Sequence, residues 1–277
     1  MTFQAGRITA GRAAWFVAST ADVTPAELPG HSFRILADGG RTGGAFSLTE
    51  ATSPRGATVG WHAHDASVEC FYVVEGRYRV TVSGVGRHLG PGDFALVPRA
   101  APHGFEVVEG DARAVVLFAP AGFEEVFRKM PEIFGTPGEP GPIFEAANRA
   151  VATRLLENCG PGPAALVRPA NSSAETVLAE PLDTRAQLRV VLRRDDAAGD
   201  PWRFEPLTTT LYTVSGGYQV DLPGRSVTLR PGQLLAPHLV VDGGSAPPPA
   251  VAYARAVRSG SRALLLHVNR DPSRGEP

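Results

Sequence analysis

The sequence contains few cysteines and no long apolar run, and both absences narrow the class of protein. Only two cysteines, Cys70 and Cys159, occur among 277 residues, so a disulfide framework is excluded and a reduced, cytoplasmic setting is expected. The apolar stretches, such as residues 263–266, are far too short to cross a bilayer. The first ten residues lack the apolar core of a secretory signal. We therefore expect a cytoplasmic protein without a membrane anchor.

The sequence also lacks a surplus of charge of either sign, and it lacks the common nucleophile motifs. The formal net charge is −1, and no block of like charge is longer than three residues. This charge pattern argues against a surface for nucleic acid or for membrane lipid. No Ser, Cys or Lys nucleophile motif and no glycine-rich phosphate loop occurs. Catalysis by those nucleophiles and binding of nucleotide phosphates are therefore not expected.

Glycine and proline are abundant, and they divide the chain into short apolar runs. The 31 glycines and 25 prolines make up about a fifth of the chain, and 43% of all residues are hydrophobic. This combination favours short strands and tight turns around a packed core. Runs typical of strands fall at residues 45–51, 69–74, 77–82, 94–97 and 114–118, and again at 176–178, 188–192, 209–214, 218–222, 233–236 and 263–268.

Helical periodicity occurs only in the middle of the chain. An apolar stripe with helical spacing covers residues 123–130 and predicts a first helix. A second helix is predicted over residues 143–158 and ends before the Gly-Pro pair at 160–161. We interpret this helical, proline-punctuated segment as a connection between domains. The chain is therefore predicted to be an all-β protein of two domains, 1–135 and 163–277, joined by a helical linker at 136–162.

The second half of the chain repeats the first. When 140 is added to each position from 69 to 97, the two segments align without a gap, and nine of the 29 positions are identical. Turn residues are prominent among the identities, as in the pairs Gly76/Gly216 and Pro91/Pro231. Shared turn residues imply a shared backbone path, so we predict two copies of one antiparallel β-barrel.

Four side chains of the first half have the types and the spacing of metal ligands. His62 and His64 lie two apart on a predicted extended segment, so both imidazoles face one side of it. Glu69 begins the next strand, and His103 supplies a third imidazole from farther along the barrel. Three neutral imidazoles and one carboxylate suit a divalent transition metal, either Fe, Ni, Cu, Mn, Co or Zn. Cys70 faces away from Glu69 on the predicted strand and is not expected to bind the metal.

These residues resemble the two motifs of the cupin superfamily. Residues 56–76 match the first motif and residues 92–103 match the second. Further segments, at residues 42–48, 71–76 and 120–125, are similar to bacterial bicupins related to quercetin 2,3-dioxygenase. The resemblance implies two tandem double-stranded β-helix (jelly-roll) barrels, a single-metal site and often dioxygen chemistry. It does not fix the substrate, because cupins include dioxygenases, isomerases, decarboxylases, cyclases and binding proteins.

The offset of 140 predicts that the second barrel holds no metal. It carries the four ligands onto Trp202, Phe204, Thr209 and Gly243, none of which is a plausible ligand. Trp202 and Phe204 are expected to fill the vacated space as core. We therefore expect one metal ion per chain. The remaining histidines are expected to have no direct role: His31, His88, His238 and His267.

The function that we expect is that of a metal-dependent dioxygenase, an oxidoreductase whose partners are dioxygen and a hydroxylated aromatic or enolic small molecule. By resemblance to quercetinases, Glu69 is also a catalytic candidate that takes the proton of the substrate hydroxyl. The residues expected to line the cavity are Phe46, Phe71, Val73, Phe94 and Phe105. Two alternatives stay open, a polyketide cyclase or isomerase that uses the metal as a Lewis acid, and a non-catalytic small-molecule-binding cupin. A homodimer is also left open.

Overall fold

The chain folds mostly into antiparallel strands. The structure, a computed structural model, describes residues 15–28, 30–135, 141–184, 188–205, 208–237 and 251–268. In order along this part of the chain, the elements are β1 (Trp15–Ser19), β2 (Ala26–Leu28), β3 (His31–Ala37), α1 (Gly39–Thr42), β4 (Ser47–Ser53), β5 (Thr58–His64), β6 (Val68–Val82), β7 (Val85–Leu89), β8 (Phe94–Val97), β9 (His103–Ala119), α2 (Glu124–Gly135), α3 (Gly141–Ala150), β10 (Thr153–Leu155), β11 (Leu166–Arg168), β12 (Glu175–Ala179), α4 (Pro181–Thr184), β13 (Leu188–Asp195), β14 (Trp202–Phe204), β15 (Thr209–Ser215), β16 (Tyr218–Leu222), β17 (Arg225–Leu229), β18 (Gln233–Pro237), β19 (Ala252–Ala256) and β20 (Ser261–Val268). The predominance of strands agrees with the sequence-based prediction.

The first barrel is built around the long strands β6 and β9. They lie in a ten-stranded sheet whose order is β11-β8-β6-β9-β4-β3-β2, with β5 paired to β9 and to β10, and β7 paired to β6. Alternation along β6 sends Phe71 and Val73 into the barrel interior. It sends Cys70 and Tyr72 to a second core that also contains strands of the other half. The first barrel therefore has a filled interior and an outer face packed on its neighbour.

The second half repeats this strand arrangement at the offset of 140. Strands β15 to β18 of the second half occupy the positions that β6, β7 and β8 occupy in the first. Even the register is kept, because Tyr78 lies opposite Leu89 and Tyr218 lies opposite Leu229. A six-stranded sheet, β1-β18-β15-β20-β13-β12, faces a four-stranded sheet, β14-β19-β16-β17, around a core of its own. The repeat seen in the sequence is thus a repeat of backbone path.

The glycine pair Gly76 and Gly216 shows why the repeat keeps particular residues. Both have a positive φ, 71° and 73°, which is the left-handed region that favours glycine. Both also lie against a neighbouring strand: a Cβ would come within 2.7 Å of Ala112 Cα at Gly76 and within 2.8 Å of Ser261 Cα at Gly216. The turn and the close approach of the two strands therefore require glycine in both halves.

Two strands lie with the opposite half of the chain, which corrects the predicted domain boundaries. Strand β1 comes from the predicted first domain, yet it pairs with β18 at the edge of the six-stranded sheet. Strand β11 comes from the predicted second domain, yet it pairs with β8 of the first barrel. The boundaries 1–135 and 163–277 miss this exchange because pairing between distant strands leaves no periodicity in the sequence.

The middle of the chain is only partly helical. Helix α2 carries the predicted apolar stripe, and α3 spans residues 141–150, so it covers only residues 143–150 of the helix predicted over 143–158. The helix ends there because Ala152 has a positive φ of 53° and β10 follows as a strand paired with β5. The part of the predicted helical linker that the structure describes therefore belongs to the first barrel. In the described ranges no helix has the length and apolarity to cross a membrane.

Candidate metal centre

The structure brings the four predicted ligands together inside the first barrel. His62 and His64 come from β5, Glu69 from the start of β6 and His103 from the start of β9. One ligand atom from each residue lies within 4.8 Å of all the others, and all four residues are buried. Register places His62 beside His103, whereas Glu69 is paired with Phe118 and Val97 and reaches the cluster from a different part of the sheet.

Glu69 is the centre of this cluster. Its Oε2 lies 2.8 Å from His103 Nε2, 3.2 Å from His64 Nε2 and 3.9 Å from His62 Nε2. Metal–ligand bonds of about 2.0–2.2 Å would separate two ligand atoms by about 3 Å at right angles and by about 4.2 Å on opposite sides of an ion. The observed separations therefore fit four ligands around one ion.

The far side of each imidazole is held by a hydrogen bond. The Nδ1 atoms of His62 and His103 lie 2.9 Å and 2.8 Å from the carbonyl oxygens of Gly60 and Ala101. Because a carbonyl oxygen only accepts, these two Nδ1 atoms carry the hydrogen and donate it. In a neutral ring the Nε2 atom then holds a lone pair, as a metal ligand must. Two rings are therefore set in the tautomer that binds metal.

The same tautomer creates a conflict that a cation would resolve. The Nε2 lone pair of His103 lies 2.8 Å from Oε2 of Glu69, and two lone pairs that close repel each other unless a positive charge lies between them. Burial lowers the pKa of His62, and the neighbouring His103 and His64 lower it further, so its protonated form is disfavoured. Burial lowers the pKa of His64 as well, although Glu69 opposes the shift.

The charge state of Glu69 completes the donor set. Burial acts to raise the pKa of the Glu69 carboxyl, but hydrogen bonds donated by His103 and His64 outweigh burial and lower it. A metal cation in place of those protons would act in the same direction. Glu69 is therefore an ionised carboxylate. A carboxylate and three neutral imidazoles in a buried cluster suit a single divalent metal ion, and the residues of this chain fit such an ion.

A cavity of about 320 Å³ adjoins the cluster, and its walls are mainly apolar. His62 and Glu69 lie at its boundary. The side chains that enclose it come from the barrel and from the segment after it: Leu28, Phe33, Ala51, Val59, Trp61, Phe71, Tyr78, Phe105, Ala114, Val116, Phe123, Val126, Phe127, Met130, Phe144, Asn148, Leu155 and Leu156. Among these described residues there is no lysine or arginine, and Glu69 is the only acid.

Only some of the predicted cavity residues line this cavity. Phe71 and Phe105 do, whereas Val73 is buried in the interior core without reaching the cavity wall. The predictions for Phe46 and Phe94 were wrong, because both side chains lie in the core shared with the second half. Phe94 follows the alternation of β8 to the outer face of the barrel, and Phe46 lies just before β4.

Cys70 is also on the outer face of the barrel, as predicted. It is fully buried in the core shared with the other half, and burial raises the pKa of its thiol. A neutral thiol on that face is no metal ligand.

Sequence reasoning missed the contribution of the segment that follows the barrel, which we call the cover segment and define as α2, α3 and β10. Phe127 of α2 and Asn148 of α3 line the cavity. Thr153 of β10 contacts a metal ligand, because its Oγ1 lies 2.8 Å from His64 Nδ1. The apolar stripe of α2 was a usable signal for the cavity wall. No pattern marked Thr153.

The equivalent place in the second half holds other side chains. Phe204 and Thr209 are buried there, and Thr209 Oγ1 is hydrogen-bonded to His267 Nδ1 at 3.0 Å. Trp202 is only half-buried, with the Arg193 guanidinium 4.4 Å from its ring centroid, so it is a less complete core residue than expected. Gly243 lies outside the described residues.

The other histidines lie apart from the cluster. His31 is buried and uses both ring nitrogens, with Nδ1 2.8 Å from Ser53 Oγ and Nε2 3.1 Å from Thr58 O. His88 is exposed on β7, and His267 lies in the second half. His238 lies outside the described residues. In the part of the chain that the structure describes, the cluster around Glu69 is the one group of this kind.

Comparisons with known proteins agree with the cupin resemblance. Residues 49–120 match the family model described as the cupin domain. A quercetin 2,3-dioxygenase of Aspergillus japonicus is 28% identical over 102 residues, which cover 34% of this chain and only 29% of that protein. The chain therefore matches less than a third of the length of this curated relative.

Similar solved structures extend the likeness over both halves. An oxalate decarboxylase from Bacillus subtilis has a TM-score of 0.58 at 16% identity, covering 96% of this chain and 78% of that chain. The protein Ylba from E. coli has a TM-score of 0.60 at 13% identity, covering 96% and 94%. At these identities the likeness shows a shared fold.

Proposed function

We propose that this protein, in which residues 49–120 form a cupin domain, is a metal-dependent dioxygenase that acts on a hydroxylated aromatic or enolic small molecule. The observation that carries the proposal is the junction of the His62, His64, Glu69 and His103 cluster with an apolar, largely aromatic cavity. When bound, a divalent transition metal supplies Lewis acidity toward a substrate oxygen and, where the ion is redox-active, a route for electrons to dioxygen.

The cavity walls support an aromatic substrate. Phe71, Phe105 and Phe127 offer ring faces and edges, and aromatic pairs of this kind add attraction beyond simple burial. A small dianion such as oxalate is a poor fit, since no lysine or arginine lines the described part of the cavity to offset its charge. The proposed substrate is therefore mainly apolar, with one acidic hydroxyl that faces His62 and Glu69.

Glu69 is the group proposed to receive the hydroxyl proton. All three histidine contacts are made by its Oε2, so we assign proton acceptance to Oε1. Glu69 is the only acid on the described part of the cavity wall, so no other carboxylate there is placed to take the proton. General-base assistance of this kind contributes about 10²–10⁴-fold to a rate.

The remaining walls of the cavity are apolar. Phe123, Val126 and Met130, on and beside α2, and Phe144 of α3 contribute to them. Apolar walls disfavour water, and a site with little water strengthens the electrostatic interactions within it and limits side reactions of reactive oxygen species. An apolar site of this kind fits oxidation better than hydrolysis.

The test combines metal analysis of the purified protein with an oxygen-electrode screen over flavonols and related enols. The expected result is about one ion per chain and substrate-dependent oxygen consumption, both lost in the His62→Ala, His64→Ala double variant. Turnover without oxygen consumption would instead support the cyclase or isomerase function, and binding without turnover would support a non-catalytic binding protein.

A further inference from the structure

The contact between Thr153 and His64 stands out because it joins two parts of the site that are 89 residues apart in the sequence. The other two imidazoles are held by carbonyls two residues away on their own strands, at Gly60 and Ala101. His64 alone of the three depends on a side chain from the cover segment. Thr153 is buried, so water does not replace its hydroxyl.

The hydrogen bond can run in either direction, but only one direction permits metal binding. A threonine hydroxyl can donate or accept. If Thr153 donated to His64 Nδ1, the neutral ring would carry its hydrogen on Nε2, and that atom could not ligate. If His64 Nδ1 donates to Thr153 Oγ1, the Nε2 lone pair faces Glu69 and the other ligands. A bound metal therefore selects the state in which Thr153 accepts.

Thr153 is held in place by the strand pairing of β10. Thr153 lies opposite His64, and Leu155 lies opposite His62. The backbone N–H of Asp65 donates to Ala152 O at 2.9 Å. The ion pair between Arg154 and Asp65, with N–O distances of 2.8 Å and 2.9 Å, adds a further link. The strand that carries two ligands is thus tied to the strand that ends the cover segment.

We propose that Thr153 is a positioning residue for the metal centre, and that through it metal binding and the docking of the cover segment on the barrel stabilise each other. This rests on the metal-dependent function proposed above. Linkage requires the effect to be mutual: the factor by which docking strengthens metal binding is the factor by which metal strengthens docking. Closure of the apolar cavity is thereby favoured in the metal-loaded protein.

The first test measures the dissociation constant of Zn²⁺, by competition with a chromophoric chelator, in Thr153→Val and Thr153→Ser. Valine keeps the shape and removes the acceptor, so Zn²⁺ should bind about 10–100-fold more weakly, as is typical when a partner of a ligating histidine is lost. Serine keeps the hydroxyl and should restore binding close to the wild-type value. Equal affinity of the valine variant and the wild type would overturn the proposal, as would a serine variant as weak as the valine variant.

Thr49→Val is the matched control. Thr49 is fully buried in β4 of the same barrel, and its hydroxyl has no hydrogen-bond partner among the described residues, so the same change should leave Zn²⁺ affinity as it is. If Thr49→Val weakens Zn²⁺ as much as Thr153→Val, the effect is general to the barrel and the specific role of Thr153 is refuted. A wild type that binds no Zn²⁺ would refute the metal centre itself, which separates the two proposals.

The second test needs no variant and reads the coupling directly. Hydrogen exchange is followed with and without Zn²⁺ at the amides of Asp65 and Leu156, which donate to Ala152 O at 2.9 Å and to Trp61 O at 2.8 Å across the β5–β10 pair. Zn²⁺ should slow hydrogen exchange at both amides by up to about 10–100-fold, the factor expected above for Zn²⁺ affinity. Exchange at the amides of β13, in the second half, should be unaffected. Exchange at Asp65 and Leu156 that Zn²⁺ leaves unchanged would overturn the coupling.

Discussion

The two halves of this protein share a backbone path and differ in what they enclose. In the first barrel, the metal-ligand residues His62 and Glu69 lie at the boundary of a cavity. At the matching positions of the second, Trp202 and Thr209 line a cavity of about 300 Å³ that holds no metal-ligand cluster among the described residues. The turns and the register of the strands are nevertheless the same. The comparison teaches that the fold depends on turn glycines and alternating apolar residues, whereas the chemistry depends on a few side chains that the fold tolerates losing.

The largest expected difference between the halves is in metal content. His62→Ala combined with His64→Ala removes two of four ligands, so the bound metal should fall from about one ion per chain to none. The amount of bound metal per chain is measured by elemental analysis after gel filtration. The control is His88→Ala, which changes an exposed histidine. Two ions per wild-type chain, or an ion that survives the double change, would place metal in the second half and break the comparison.

The next largest effect is expected on the turnover rate of the first barrel when Glu69 is changed. Glu69→Gln keeps a carbonyl oxygen that can still ligate but removes the base, so turnover per bound metal should fall about 10²–10⁴-fold. The defect should shrink for substrates whose hydroxyl is already ionised, because their proton is gone. Turnover normalised to metal content, across substrates of falling hydroxyl pKa, provides the measurement. Glu109→Gln changes an exposed carboxylate of β9 and serves as control. Equal turnover per metal in Glu69→Gln and the wild type would leave Glu69 as a ligand alone.

A change in the second half should affect stability and spare the metal. Phe204 is buried in the core of that half, so Phe204→Ala should lower the free energy of unfolding by about 3–5 kcal/mol. Trp202→Ala should cost less, since that side chain is only half-buried. Chemical denaturation and metal analysis of the folded fraction test both. A Phe204→Ala protein of normal stability that has lost its metal would show that the halves are wrongly matched.

The smallest difference between the halves is expected at the turn that they share. Alanine at Gly76 or at Gly216 would be forced into the left-handed region, at a cost of about 1–2 kcal/mol, and the overlap of its Cβ with backbone atoms of the adjacent strand would add to that cost. The losses of unfolding free energy for Gly76→Ala and Gly216→Ala should therefore match closely. A large loss at one site with none at the other would contradict a shared backbone path at this turn.

Much of the fold and the core of the candidate site were predictable from local patterns. His62 and His64 are two apart on a strand, and the alternation of a strand puts them on one face. The glycines and prolines of the repeat marked the turns. These signals are short in range, and the residues that produce them are close in sequence.

The parts that could not be predicted depend on contacts between distant segments. Phe46 and Phe94 are aromatic residues near the motifs, and nothing local shows that they face the other half of the chain. Thr153 lies far from His64 in sequence, and a single threonine carries no signal for a role in holding a ligand. The end of α3 depends on pairing with β5, which overrides the helical periodicity of residues 151–158.

The exchanged strands tie each half of the chain to the other. Strand β1 covers the edge of β18, and β11 covers the edge of β8. Cutting the chain between the halves would leave each piece with an unpaired edge strand, which invites aggregation. Loss of the first strand alone would harm the half that is farthest from it along the chain. The barrel without a metal cluster in its described part thus covers one strand edge of the barrel that has one.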